Sequence, residues 1–110
     1  SMPLQKIPAD ETRALIIAAR KRAYLSQKAL GRLLGKNRSW VALRESGKRK
    51  IYRHDLEKIA QATNLPLSWF LGKDSEMDVI LWKAKQFDRM MEYMWAEYGE
   101  DKMEIKNKRW

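Results

Sequence analysis

The sequence predicts an all-α protein, with five short helices forming a head and one long amphipathic helix after it. Three observations predict this class. Apolar residues recur at spacings of three and four, and no segment alternates strictly between apolar and polar. Polar caps and glycines divide the first part of the chain into short helical segments. After Gly72 a heptad pattern of apolar residues runs without interruption over three heptads.

The first two helices lie at about residues 10–23 and just after Ser26. Asp10 caps the first helix in this interpretation, and Glu11 suits the positive end of its dipole. Ser26 is a good N-cap for the second helix, and Gly35 ends it in a left-handed conformation. The side chains of the second helix that we expect to face inward are Leu30, Leu33 and Leu34.

Three further helices complete the head. Asn37 caps the third, which runs to about Ser46 before Gly47 stops it. The fourth covers about residues 53–63, with Asn64 as its C-cap. A short fifth helix spans residues 67–71 and is closed by Gly72.

The tail carries the heptad pattern and is predicted to be one long helix that Gly99 closes. We leave residues 100–110 unassigned, because they are highly charged. The predicted organisation is a head of residues 2–73 and a tail of residues 74–110. The apolar seam of the tail, with alternating spacings of three and four, consists of Met77, Ile80, Ala84, Phe87, Met91, Met94 and Tyr98.

Charge separates the same two parts. The chain carries a net charge of +9, with 16 Lys and Arg against 5 Asp and Glu in residues 1–73 and 7 against 9 in the rest. A basic head suggests a polyanionic partner, although charge alone provides phosphate affinity without sequence specificity. The tail has no such excess, which argues against a DNA contact there.

The second and third helices suggest a DNA-binding helix pair. Gly31 is small where the two helices cross, and Gly35 permits a sharp turn between them. Positions 38, 39, 42, 43 and 46 share one face of the third helix, opposite the apolar Val41. A pair of this geometry places its second helix in the major groove of double-stranded DNA.

At this point the chain resembles the Cro and phage-repressor (XRE-like) helix-turn-helix family, from about Ile16 to Leu71. The agreement lies in landmarks of the first two helices, the turn, the recognition helix and the last two helices. These landmarks are Arg20, Leu25-Ser26-Gln27, Leu30, Leu34-Gly35, Asn37, Val41, Glu45, Gly47, Leu56, Ile59-Ala60, Leu65 and Leu67-Ser-Trp-Phe-Leu71.

The resemblance implies roles for individual residues. Arg38, Ser39 and Leu43 are expected at base edges, where an arginine fork fits guanine. Gln27 is expected to bind a phosphate and brace the recognition helix, and Arg20 and Glu45 are expected to form a structural ion pair. The further residues expected along the DNA backbone are Asn37, Trp40, Lys48, Arg49 and Lys50.

Two positions depart from the family pattern, which usually has apolar side chains there: Lys36 and Arg44. Arg44 either buries its stem and leads its head outward or stacks on Trp40 one turn earlier. We keep both alternatives.

The residue inventory does not favour an enzyme, a metal or a cofactor. The chain has no cysteine, and its single histidine, His54, excludes a histidine cage. His54 belongs to the start of the fourth helix, near the basic loop. Asp74, Glu76 and Asp78 lie where a helix begins, a place that favours negative charge without any metal.

The expected function is that of a sequence-specific, DNA-binding transcriptional regulator, a small phage or bacterial repressor that acts as a homodimer on a pseudo-palindromic operator. The tail seam forms the dimer, packs on the head, or binds another protein. The last option defines the alternative, an antitoxin-like or phage accessory factor. Without a membrane span or a signal segment, we expect a cytoplasmic protein.

Overall fold

The structure, a computed structural model, describes the backbone of residues 9–107 and the side chains of residues 10–99. Its elements are α1 (Ala9–Arg22), α2 (Gln27–Leu33), α3 (Arg38–Glu45), α4 (Arg53–Thr63), a 3₁₀ helix (Leu67–Leu71) and α5 (Glu76–Asn107). The predicted all-α class is confirmed, with a head of five helices and a long C-terminal helix. Among the described residues, no helix combines the length and apolar composition needed to cross a membrane.

The helix ends follow local chemistry. Asn64 adopts a left-handed conformation at the end of α4 (φ 56°), and Gly72 does so after the 3₁₀ helix (φ 72°). The prediction that Asp10 caps α1 is wrong. The helix already includes Ala9, and Asp10 pairs within the first turn with Arg13.

Every helix of the head contributes at least one apolar side chain to a shared core. Helix α1 packs against α3, α4 and the 3₁₀ helix, while α2 packs mainly against α3. The largest fully buried side chains of the head are Ile16, Leu30, Val41, Leu56, Ile59 and Phe70. This shared core sets the orientation of α3.

Leu33 does not face inward as predicted, because 60% of it is exposed. The buried residues of α2 are Leu30 and Gly31. At roughly 100° per residue, Leu33 lies about 110° from the middle of that face. Leu34, which is half-buried, lies on the inward side.

The chain divides into two compact units, of which the first ends at Ser75 and the second begins at Glu76. The second unit is α5. Gly99 leaves helical geometry there (φ 76°, ψ 168°), and the helical backbone then continues to Asn107. Gly99 therefore interrupts the long helix as expected of a breaker, but residues beyond it, which we left unassigned, are helical as well.

Candidate nucleic-acid interface

Polar side chains cap the N-termini of both helices of the α2–α3 pair. The Ser26 hydroxyl accepts the Ala29 amide at 3.0 Å, and the Asn37 side-chain oxygen accepts the Trp40 amide at 2.9 Å. Each cap satisfies an amide that the first turn of a helix cannot bond internally. The predicted caps of both helices are confirmed.

The turn between these helices depends on two glycines. A Cβ atom on Gly31 would lie 2.8 Å from the Asn37 carbonyl oxygen, so the turn backbone approaches too closely for any side chain. The Lys36 amide donates to the Gly31 carbonyl at 2.8 Å and closes the turn. Gly35 has a positive φ of 69°, which supplies the reversal of direction.

The last residue of α3, Glu45, is buried and accepts three hydrogen bonds from other helices. Arg20 donates to both of its oxygens, from Nε at 2.7 Å and from Nη2 at 3.0 Å. Gln27 donates to Oε1 at 2.9 Å. The Arg20–Glu45 ion pair therefore joins α1 to α3, and Gln27 links α2 to the same carboxylate. These bonds hold α3 at one angle to the rest of the head.

The opposite face of α3 is open to solvent. Arg38, Ser39 and Ser46 are exposed, whereas Ala42 and Leu43 are half-buried. Within the described part of the chain, no hydrogen bond or ion pair holds the Arg38 guanidinium. Its five donors remain available for an acceptor outside the protein.

The basic loop is tied to the end of α3. The Leu43 carbonyl accepts the Lys48 amide at 2.9 Å, the Arg49 amide at 3.2 Å and the Ser46 hydroxyl at 3.0 Å. Lys48, Arg49 and Lys50 are all exposed. Three cations in succession therefore follow the open face of α3, and their backbone is held in place.

Trp40 is flanked by the two residues that depart from the family pattern. The Arg44 guanidinium lies 3.8 Å from the indole centroid, and the Lys36 ammonium lies 5.9 Å from it. Arg44 thus stacks on Trp40, as one of the two alternatives proposed. Its Nη1 also donates to the Trp40 carbonyl at 3.2 Å. The indole is half-buried and is held beside the open face.

Arg44 also connects α3 to the start of α4. Its Nε lies 3.8 Å from Asp55 Oδ2, and the same carboxylate oxygen accepts the Tyr52 amide at 2.9 Å. His54 is exposed in the first turn of α4, with Nε2 3.3 Å from Asp55 Oδ1 and its ring stacked on Tyr52. No group of three or more acidic or histidine side chains in the described part of the chain has a metal-binding arrangement.

A comparison with protein families identifies the type of the α2–α3 helix pair. The profile of the helix-turn-helix family, of the Cro and XRE type, matches residues 16–70, which is half of the chain. The chain belongs to this family. Its helix-turn-helix head is therefore a DNA-binding domain. No individual curated protein matches the chain.

The loop between α1 and α2 of the helix-turn-helix head has a backbone conformation that the sequence did not reveal. Tyr24, between α1 and α2, has a positive φ of 57°, and 96% of it is exposed. The turn is fixed around it, because the Arg20 guanidinium donates to the Leu25 carbonyl at 2.9 Å. A bulky residue with a positive φ is an outlier, because glycine is the residue that adopts this conformation without strain. The Tyr24 side chain points into solvent.

The seam of α5 in this helix-turn-helix protein is largely open. Met77 is 61% exposed, Ile80 and Phe87 are each 57% exposed, and Tyr98 is 52% exposed. Ala84 is also exposed, whereas Met91 and Met94 are half-buried. The seam therefore presents a long apolar surface on a single copy of the chain.

Proposed function

We propose that this protein is a sequence-specific transcriptional regulator that reads DNA with α3 in the major groove. The observation that supports this proposal most strongly is that α3 is anchored at its C-terminal end while Arg38 is unpaired on its open face. Glu45 fixes the end of α3 through three hydrogen bonds. Arg38 is exposed in its first turn. A guanidinium in that position reaches O6 and N7 of guanine, and rigid support gives the contact its specificity.

Ser39 and Leu43 extend the reading surface along the same face. A serine hydroxyl donates to or accepts from either type of base pair, and a leucine side chain contacts the thymine methyl group. Lys48, Arg49 and Lys50 bind the backbone phosphates beside the groove, where Trp40 packs on the sugar. These backbone contacts set the position of α3 and contribute most of the salt-dependent affinity.

Gln27 supports the reading helix and retains the capacity for a phosphate contact. Its amide nitrogen carries two protons, and the bond to Glu45 occupies one of them. The second proton is available for a phosphate oxygen at the start of α2. Asn37 uses its side-chain oxygen for the α3 cap, so its amide group is the part that contacts the backbone.

A homodimer formed through the α5 seam would bind two half-sites of a pseudo-palindromic operator. One head alone reads only a few base pairs, whereas a two-fold dimer doubles the contacts on half-sites about 10 base pairs apart. A dimer that occupies such an operator would exclude polymerase from the DNA, and the protein would then act as a repressor.

Selection of bound duplexes from a random DNA pool at physiological salt tests this function. The expected result is enrichment of one motif with two-fold symmetry, because a sequence reader binds specific DNA at least about 10³-fold more tightly than random DNA. Equal recovery of all sequences would show a charge-driven binder and would overturn the proposal.

A further inference from the structure

The apolar surface of α5 is wider than its heptad seam. Leu81 is 54% exposed, Met90 is 48% exposed and Trp95 is 45% exposed, and each flanks the seam. Seven large apolar side chains in and beside the seam are thus about half open to solvent. At about 100 Å² of accessible area for each, two such helices would bury roughly 1,400 Å² together, which lies at the lower end of the range for a specific interface.

Two charged residues, Lys83 and Asp88, also lie at positions that flank the seam. With Met77 at position a, Lys83 takes position g and Asp88 takes position e of the next heptad. Both side chains are exposed. In the part of the chain that the structure describes, neither forms a hydrogen bond or an ion pair. They are five positions apart, so they do not face each other on one helix.

We infer that α5 binds a second copy of itself in parallel and in register, with Lys83 facing Asp88 of the partner subunit. In a parallel coiled coil, position g faces the following position e of the partner helix, five residues further along the chain. The two-fold axis then forms this opposite-charge pair twice. The inference rests on the homodimer of the proposed function and adds the orientation and the residues that specify it.

An antiparallel arrangement does not offer this pairing. There, positions g face each other and positions e face each other, so Lys83 never meets Asp88 of the partner subunit. One of the two full-overlap registers places Lys83 opposite Met90 of the partner subunit and Asp88 opposite Leu81 of the partner subunit, so neither charge is paired. The other pairs Lys83 with Glu97 of the partner subunit but sets Asp88 against Asp88 of the partner subunit, which is repulsive. The charges thus favour the parallel order over the reversed one.

The parallel order has a consequence for DNA binding. Both heads join α5 immediately before Glu76, so a parallel pair places both attachment points at the same end of the coiled coil. Helix axes in such a pair are about 8–10 Å apart. The two attachment points are therefore related by the two-fold axis that runs along the coiled coil.

A single engineered cysteine measures the orientation. The chain has no cysteine, so Met77→Cys introduces one thiol at the beginning of the seam. In the parallel dimer the two thiols face each other and form a disulfide. In an antiparallel dimer they are separated by about 25–35 Å at 1.5 Å per residue. Mixing Met77→Cys with Met94→Cys detects one full-overlap antiparallel register, and mixing Ala84→Cys with Met94→Cys detects the other, because those thiols would then meet.

Charge reversal measures the role of the ion pair. Lys83→Glu and Asp88→Lys each place like charges together and should weaken the dimer roughly tenfold, measured as the dissociation constant by analytical ultracentrifugation. The double variant restores the pair with reversed sign and should recover the original value. Lys85→Glu is the matched control, since it makes the same charge change at the outer position b.

The outcomes separate this inference from the function on which it rests. Disulfide formation by Met77→Cys alone, with recovery in the double charge variant, supports the parallel pair. Cross-linking only in a mixture of two variants, Met77→Cys with Met94→Cys or Ala84→Cys with Met94→Cys, overturns the orientation but leaves a dimer. A monomer at every concentration overturns both the inference and the proposed homodimer. Sequence reading by α3 is tested separately, by the selection experiment.

Discussion

Arg20 and Glu45 form a bidentate ion pair that joins the last turn of α1 to the last residue of α3. The two contacts measure 2.7 Å and 3.0 Å, and the side chains are 12% and 5% exposed. Loss of one partner leaves the other charge in a poorly hydrated site. The pair therefore determines the orientation of the reading helix as well as the stability of the head.

Arg20→Met is expected to lower the free energy of unfolding by about 3–5 kcal/mol, because it leaves the buried Glu45 carboxylate with only the Gln27 bond. Urea unfolding followed by circular dichroism measures the change. Arg13→Met is the matched control in the same helix, where the exposed pair with Asp10 contributes less than about 1 kcal/mol. Equal losses in the two variants would contradict the importance of Glu45.

Tyr24→Gly is expected to stabilise the head by about 1 kcal/mol. Tyrosine is strained at a φ of 57°, whereas glycine adopts this conformation without strain, and the 96% exposed ring contributes no packing to be lost. Thermal unfolding should show a higher Tm. Asn64→Gly is the control at a φ of 56°, where asparagine is already tolerated and the change should be smaller. A lower Tm for Tyr24→Gly would indicate that the ring makes a stabilising contact.

Gly31→Ala is expected to destabilise the head by about 1–3 kcal/mol, although alanine favours helices. The added Cβ would lie 2.8 Å from the Asn37 carbonyl oxygen. Relief of this clash requires a shift of the turn backbone, which costs free energy. Gly35→Ala separates crowding from conformational strain, because Gly35 has a φ of 69° and open space around it. Urea unfolding of both variants tests this, and a neutral Gly31→Ala would show that the turn can relax.

Local chemistry made most of the fold predictable. Caps such as Ser26 and Asn37 and breakers such as Gly35 act within a few residues, so their effects can be read from neighbouring positions. The error at Leu33 has a different cause. Helix α2 is only seven residues long, and three leucines leave the centre of its inward face undetermined until Gly31 is seen to be buried.

Some contacts within the candidate site followed from the sequence and others did not. The Arg20–Glu45 pair followed from family resemblance, since the two residues are 25 positions apart in the chain. Nothing in the sequence indicated that Gln27 shares the same carboxylate or that Asp55 lies beside Arg44, because both contacts depend on how separate helices pack. The stacking of Arg44 on Trp40 was foreseeable, since the two residues are one helical turn apart.

The most direct test of base reading by α3 is the ratio of affinities for the selected operator and for random DNA, measured with Arg38→Ala. Arg38 is expected to contribute about 1–3 kcal/mol of discrimination at each half-site, so on an operator with two half-sites the ratio should fall at least about 30-fold. Lys48→Ala is the control, and it should weaken binding to both DNAs equally. An unchanged ratio for Arg38→Ala, with both affinities reduced alike, would contradict base reading by this residue.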